Sequence, residues 1–139
     1  MNDIVLNKKA SIERCVAQVR DYYARDTGVP FEVDYFRQDA IAMNLQRLCE
    51  LSIDLANHWV RVRRLGLPKD SADAFALLAR AGLIEPELAA SLRGMVGFRN
   101  TLVHAYTELD LAVLVRVIEE RLGEPLAFAD AALAGVGEG

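Results

Sequence analysis

Apolar residues recur along this chain at steps of three and four, the repeat of a helix that buries one face. Ile4, Ile12, Cys15, Val19 and Tyr22 follow that repeat with Lys8 among them, which predicts a first helix over residues 3 to about 25. The run Asp26-Thr27-Gly28-Val29-Pro30 breaks it with turn-forming residues. Asp34 is placed to cap a long second helix. Its apolar set is Ile41, Leu45, Leu48, Leu55, Ala56 and Trp59, with Ser52 the one polar member and Gly66 and Pro68 as stop signals. Ser71 is placed to cap a short third helix that ends at Gly82. Pro86 falls where a first helical turn tolerates proline. It opens a fourth helix with Leu88, Leu92, Met95 and Leu102 on one side.

Asp110 is placed to cap a fifth helix, with Leu111, Leu114, Val115, Ile118 and Leu122 inward. Residues 111–118 could pass for a strand, but Glu119-Glu120-Arg121-Leu122 continues the helical phase. From about residue 124 the chain reads as a peripheral tail, at most one more short helix before a Gly-rich end. The pattern as a whole predicts an all-α protein, one antiparallel bundle of about five helices over residues 1–139.

Composition sharpens this in three ways. Apolar residues are 53% of the chain, more than one small domain hides easily, so a self-association surface is expected. No segment has the roughly 18 uninterrupted apolar residues of a membrane span, and Met1-Asn2-Asp3-Ile4 lacks the order of a secretion signal, so a cytoplasmic protein with no membrane contact is expected. The net charge of −4 means that any nucleic-acid site must be a local basic patch on an acidic background. Cys15 and Cys49 are isolated and read as small buried hydrophobes, and two cysteines with two histidines assemble no familiar zinc pattern, so no metal and no cofactor is expected.

Candidate chemistry lies in two places. On the second helix Arg47, Glu50, Asp54, His58 and Arg61 form one polar line on an otherwise apolar helix, facing either solvent or a shared polar cavity. Arg61, Arg63 and Arg64 close that helix. They either complement the negative end of its dipole or track phosphates beside a reaction site. The more informative stretch is Arg99-Asn100-Thr101-Leu102-Val103-His104-Ala105-Tyr106. A guanidinium holds phosphate through a planar fork of donors, and an imidazole moves protons near neutral pH.

Geometry limits that pairing. Residues five apart on one helix are about 140° apart around its axis. Arg99 and His104 therefore meet on one phosphate only if the helix ends near Val103 and the chain turns back, or if a second subunit completes the site. Gly94 and Gly97, costly inside a helix at about 1 kcal/mol each, suggest a close approach by a neighbouring helix or a symmetry mate.

The block Arg99-Asn100-x-x-x-His104-x-Tyr106 resembles the signature of the HEPN superfamily, in particular its HepT-like toxins. Asn44-Leu45-Gln46-Arg47, Ile53-Asp54-Leu55-Ala56-Asn57-His58, Gly66-Leu67-Pro68, Phe75-Ala76-Leu77-Leu78 and Met95-Val96-Gly97-Phe98 fall in the family's order, so the likeness covers about residues 3 to 122. It implies a bundle that dimerises, or assembles further, so that two motifs face one cleft. It implies a metal-independent endoribonuclease toxin in which Arg99 binds the phosphate of an RNA substrate, His104 moves the proton and Asn100 supports them. If the polar line on the second helix faces a shared cavity, Glu50, Asp54 or His58 is a candidate to support the histidine, and Arg61, Arg63 and Arg64 are candidates to bind RNA. The resemblance also implies a cognate minimal nucleotidyltransferase antitoxin that adenylylates Tyr106. The alternative is a non-catalytic HEPN module that binds nucleotide or serves as the partner subunit of a nucleotidyltransferase.

Overall fold

The structure, a computed structural model, describes residues 3–104 and 110–136, with the side chain of His104 outside the description. The described residues form six α-helices and no strand. They are α1 (Asp3–Ala24), α2 (Tyr35–Arg63), α3 (Asp73–Arg80), α4 (Pro86–His104), α5 (Leu111–Arg116) and α6 (Gly123–Val136). A 3₁₀ turn (Phe31–Val33) precedes α2, and a π-helical turn (Val117–Arg121) carries α5 into α6.

Helix α2 is central because its apolar residues leave little of its circumference polar. It packs against α1, α3, α4 and α6. Ile41, Leu45, Leu48, Leu55, Ala56 and Trp59 are buried, as expected, and so are Ile53 and Val60 to either side. Ser52 is also fully buried. Its hydroxyl donates back to the Leu48 carbonyl at 2.8 Å, so the one polar member of the face leaves no orphan donor. The Asp34 side chain caps the helix by accepting from the Arg37 N–H at 3.1 Å.

A buried arginine staples the loop between α1 and α2. Arg37 donates through Nε to Asp34 at 2.9 Å and through Nη1 to the carbonyls of Tyr23 and Arg25, also at 2.9 Å. It reaches the Val29 carbonyl at 3.3 Å and stacks over the Phe31 ring. Thr27 donates to the same Asp34 carboxylate at 2.6 Å, and this bond first, with the Arg37 backbone N–H second, holds the Asp34 carboxyl below the usual 3.8.

Three expectations need correction. The third helix is not capped by Ser71: Ala72 is its N-cap residue and makes no side-chain cap, while the Asp70 carboxylate holds the turn before it by accepting from the N–H groups of Ala72 and Asp73, each at 2.9 Å. The stretch from 124 is not peripheral. Helix α6 packs on α1 and α2, and Phe128 is fully buried with its ring 5.2 Å from Phe75 and 6.0 Å from Trp59. Gly135 lets the last turn of α6 lie on the indole, since a Cβ there would come within 2.3 Å of Trp59 Cζ2. Gly94 and Gly97, by contrast, have no neighbour within 4 Å of a built Cβ, so no helix of this chain crosses closely there.

Among the described residues the end of α2 is the one place where a non-glycine backbone has a positive φ. Arg64 takes the left-handed conformation, φ 54° and ψ 50°, at the position where helices favour glycine. The Leu65 N–H then reaches back to the Val60 carbonyl at 3.0 Å and closes the helix.

Candidate active site

Arg99 belongs to the last turns of α4, where that helix packs on α2. Cys49 of α2 is buried beneath it, with Sγ donating to the Met95 carbonyl at 3.7 Å. Burial pushes the Cys49 thiol up to about 12, although the nearby Arg99 guanidinium pulls the other way. One turn of packing thus fixes the Arg99 backbone against the centre of the bundle. Its side chain is only 19% exposed, and Nη1 stands 3.8 Å from Glu50 Oε1. That distance is an ion pair without a hydrogen bond. Arg99 Nε is buried with no partner. An orphaned buried donor costs about 1–3 kcal/mol; the guanidinium is oriented by charge, and its Nη groups make no hydrogen bond among the described residues.

Glu50 in turn accepts from Gln46 Nε2 at 3.5 Å. Its pairing with Arg99 is the contact that local spacing could not show, because the two residues come from different helices. The polar line on α2 was the signal that could have found it. Asp54, the next member of that line, pairs with Lys8 of α1 at 3.5 Å instead. His58 is half-buried with Nε2 unpartnered; burial, and then the charge of Arg61, hold its pKa below the ordinary 6.5. It lies eight residues beyond Glu50, about 12 Å along the helix. The side chain of His104, which Glu50, Asp54 or His58 is expected to support, lies outside the description; of the three, Glu50 is the one that contacts Arg99.

Helix α4 runs to His104, and residues 105–109 lie outside the described residues. Positions 99 and 104 remain about 140° apart around one axis. Asn100 is exposed beside Arg99, and Thr101 donates back to the Gly97 carbonyl at 3.3 Å. Tyr106 lies outside the described residues.

The basic cluster at the end of α2 is divided. Arg63 donates to the Gly135 carbonyl at 2.6 Å and ties α2 to α6. Arg64 forms the left-handed cap, and Arg61 is exposed at a shallow depression shared with Asn57, Gly66 and Asp70. Arg61 is eleven residues past Glu50, about 16 Å along the helix. The structure does not bring Arg61, Arg63 and Arg64 together with Arg99. An apolar groove of about 460 Å³ between α2, α4 and α6, lined by Leu45, Met95, Phe98 and Pro125 among others, does not include Arg99 either.

This all-helical bundle is the fold of a solved HEPN toxin. The chain superposes on the tri-AMPylated HEPN toxin of Shewanella oneidensis, solved in complex with MNT antitoxin. The TM-score is 0.89 at 43% identity, covering 96% of this chain and 99% of that one. A second toxin–antitoxin complex, solved with AMP-PNP, matches with a TM-score of 0.88 at 42% identity, covering 95% of this chain and 99% of that one. The chain belongs to the ribonuclease HepT-like family, whose sequence model matches residues 12–132. It is 44% identical over 130 residues to the mRNA nuclease HepT of Shewanella oneidensis, covering 94% of this chain and 96% of that protein. It is 32% identical over 76 residues to the tRNA nuclease HepT of Aphanizomenon flos-aquae, covering 54% of this chain and 52% of that protein.

Proposed function

We propose that this chain is the toxin of a toxin–antitoxin pair, an endoribonuclease neutralised by a nucleotidyltransferase that adenylylates it. The observation that carries the reading is Arg99: in a member of the HepT-like family, its guanidinium is oriented by Glu50 yet keeps a buried donor unpartnered. Its place of action is the cytoplasm, where cellular RNA is found.

In the proposed reaction the ribose 2′-oxygen attacks the adjacent phosphorus while His104 takes the 2′-hydroxyl proton. The bond from phosphorus to the 5′-oxygen breaks, and that oxygen leaves with a proton. The products are a 2′,3′-cyclic phosphate and a 5′-hydroxyl end. Arg99 holds the non-bridging oxygens and the charge that builds on them. Asn100, exposed beside it, orients the phosphate. The need for a 2′-hydroxyl makes RNA the substrate.

The unbroken α4 supports a dimer in which the Arg99 of one protomer and the His104 of its partner serve one phosphate, since one helix sends the two positions apart. Adenylylation of Tyr106, two residues after His104 in the sequence, would add bulk and phosphate charge near the motif and compete with RNA for the cation. The test is expression alone and with the antitoxin. Growth arrest and RNA cleavage are expected for the parent chain, with loss of both in Arg99→Ala and in His104→Ala. Retention of cleavage by His104→Ala refutes the mechanism, and full neutralisation of Tyr106→Phe by the antitoxin refutes the role of Tyr106.

A further inference from the structure

A polar groove of about 340 Å³ runs between α1 and α2, lined by Arg14 and Cys15 from α1 and by Asn44, Arg47, Glu50 and Asp54 from α2, among others. Its acidic members are already engaged, Glu50 with Arg99 and Asp54 with Lys8. Its two arginines are not: among the described residues neither Arg14 nor Arg47 makes an ion pair. They come from different helices, yet both guanidiniums act on the same buried thiol, Cys15, drawing it down against the larger upward push of burial. Both line the one groove. The Asn44 side chain on the groove wall donates to the Ala40 carbonyl at 3.0 Å, and its Oδ1 has no partner.

This groove abuts the candidate active site. Glu50 belongs to both, and Arg47 precedes it by three residues, about 4.5 Å of helix rise. A strand whose scissile phosphate rests on Arg99 places its next backbone phosphates within reach of long side chains on the neighbouring turn. Two uncommitted, exposed guanidiniums on an acidic protein are a local cation pair suited to such an anion. The cluster at the end of α2 is a poorer candidate, because Arg63 is spent on Gly135 and Arg61 lies farther from Arg99.

We propose that Arg14 and Arg47 form a second phosphate site that holds the RNA backbone flanking the cleaved linkage. This rests on the reading of the chain as a ribonuclease, but it is measured by binding. The probe is a fluorescent single-stranded RNA methylated at every 2′-oxygen, which cannot be attacked, titrated with the full chain over a range of salt concentrations. Each phosphate contact on a single strand contributes about 0.7 to the slope of log K against log salt. Arg14→Gln with Arg47→Gln is expected to lower that slope by about 1.4. Arg14→Lys with Arg47→Lys, which keeps the charges, should restore it. Lys69→Gln with Arg80→Gln, exposed residues on another face, controls for net charge.

Cleavage adds a second readout: the glutamine pair should raise KM more for a long strand than for a dinucleotide carrying only the scissile phosphate. An unchanged slope, or a slope lowered as much by the control pair, overturns the proposal. So does loss of the antitoxin complex on size exclusion with RNA affinity intact, which would make the groove a protein interface. The two readings fail separately. Cleavage that survives His104→Ala sinks the catalytic mechanism without touching the slope, whereas an unchanged slope with cleavage lost in His104→Ala sinks only the second site.

Discussion

Replacing Arg37 with methionine keeps most of the aliphatic bulk and deletes every donor of the guanidinium. The residue is 9% exposed, and the change would unpair the Tyr23 and Arg25 carbonyls it contacts at 2.9 Å and the more distant Val29 carbonyl at 3.3 Å. A hydrogen bond from a charged donor contributes about 1.5–3 kcal/mol when assessed one at a time. These bonds do not add, because the freed carbonyls lie in an exposed loop and recover water. We expect a loss of about 3 kcal/mol, the low end of the range for breaking a buried ion pair. That is a large share of the roughly 5–15 kcal/mol that holds a domain together. With a urea dependence of about 2 kcal/mol per molar, the unfolding midpoint should fall by about 1.5 M. Arg37→Lys restores the charge but not the planar fork, and should recover less than half of the loss. A midpoint for Arg37→Met within about 0.5 M of the parent would show that the loop is held by something other than this staple.

Further outcomes follow from the same coordinates. Arg64→Gly relieves a left-handed backbone at φ 54° and is expected to stabilise the fold by about 1 kcal/mol, read as a higher melting temperature; a lower one counts against the strain. The Asp34 carboxyl sits below its unfolded value of about 3.9, through the Thr27 hydrogen bond first and the Arg37 N–H second. Its contribution is therefore complete above about pH 4 and drains away as pH falls through the folded pKa. Asp34→Asn should flatten the acid limb of a stability–pH curve, and an unchanged limb would reject the assignment. With Cys49 pushed up to about 12 and Cys15 also raised, both by burial, neither thiol should react with iodoacetamide at pH 8 until the chain is denatured, as mass spectrometry would show. Glu50→Gln removes a carboxylate 3.8 Å from Arg99. A partly exposed pair contributes up to about 1 kcal/mol, so affinity for non-cleavable RNA should rise by no more than about fivefold; weaker binding would contradict the charge argument.

What could be read from the sequence follows the range of the interaction. Asp34 and Asp110 announce their helices because a cap acts within three residues, and both accept the backbone N–H expected of them. The burial of α2 was legible because its apolar residues outnumber the positions one face can hold. Ser71 reads as a cap because it is a good capping residue, and only the path of the loop shows that the helix starts two residues later, after a turn held by Asp70. Helix α6 reads from the sequence as a peripheral tail with at most one short helix, because its alanines and glycines carry little local signal. What fixes it is Phe128 between Trp59 and Phe75, a contact across distant segments. The same applies to the site. The motif at Arg99 was visible, but its pairing with Glu50 depends on how two helices cross. The row of arginines after Arg61 looks identical whether it serves RNA or, as Arg63 does, a carbonyl at the end of the chain.

That residues 99 and 104 share one continuous helix has a consequence for the cell. If each reaction centre borrows one group from either of two protomers, a newly made chain carries two incomplete halves and cuts nothing. Damage would then scale with the square of the number of copies when they are few, and stray transcripts of the gene would be tolerated. A modest surplus, left when synthesis of the neutralising enzyme fails, would cross into lethality abruptly.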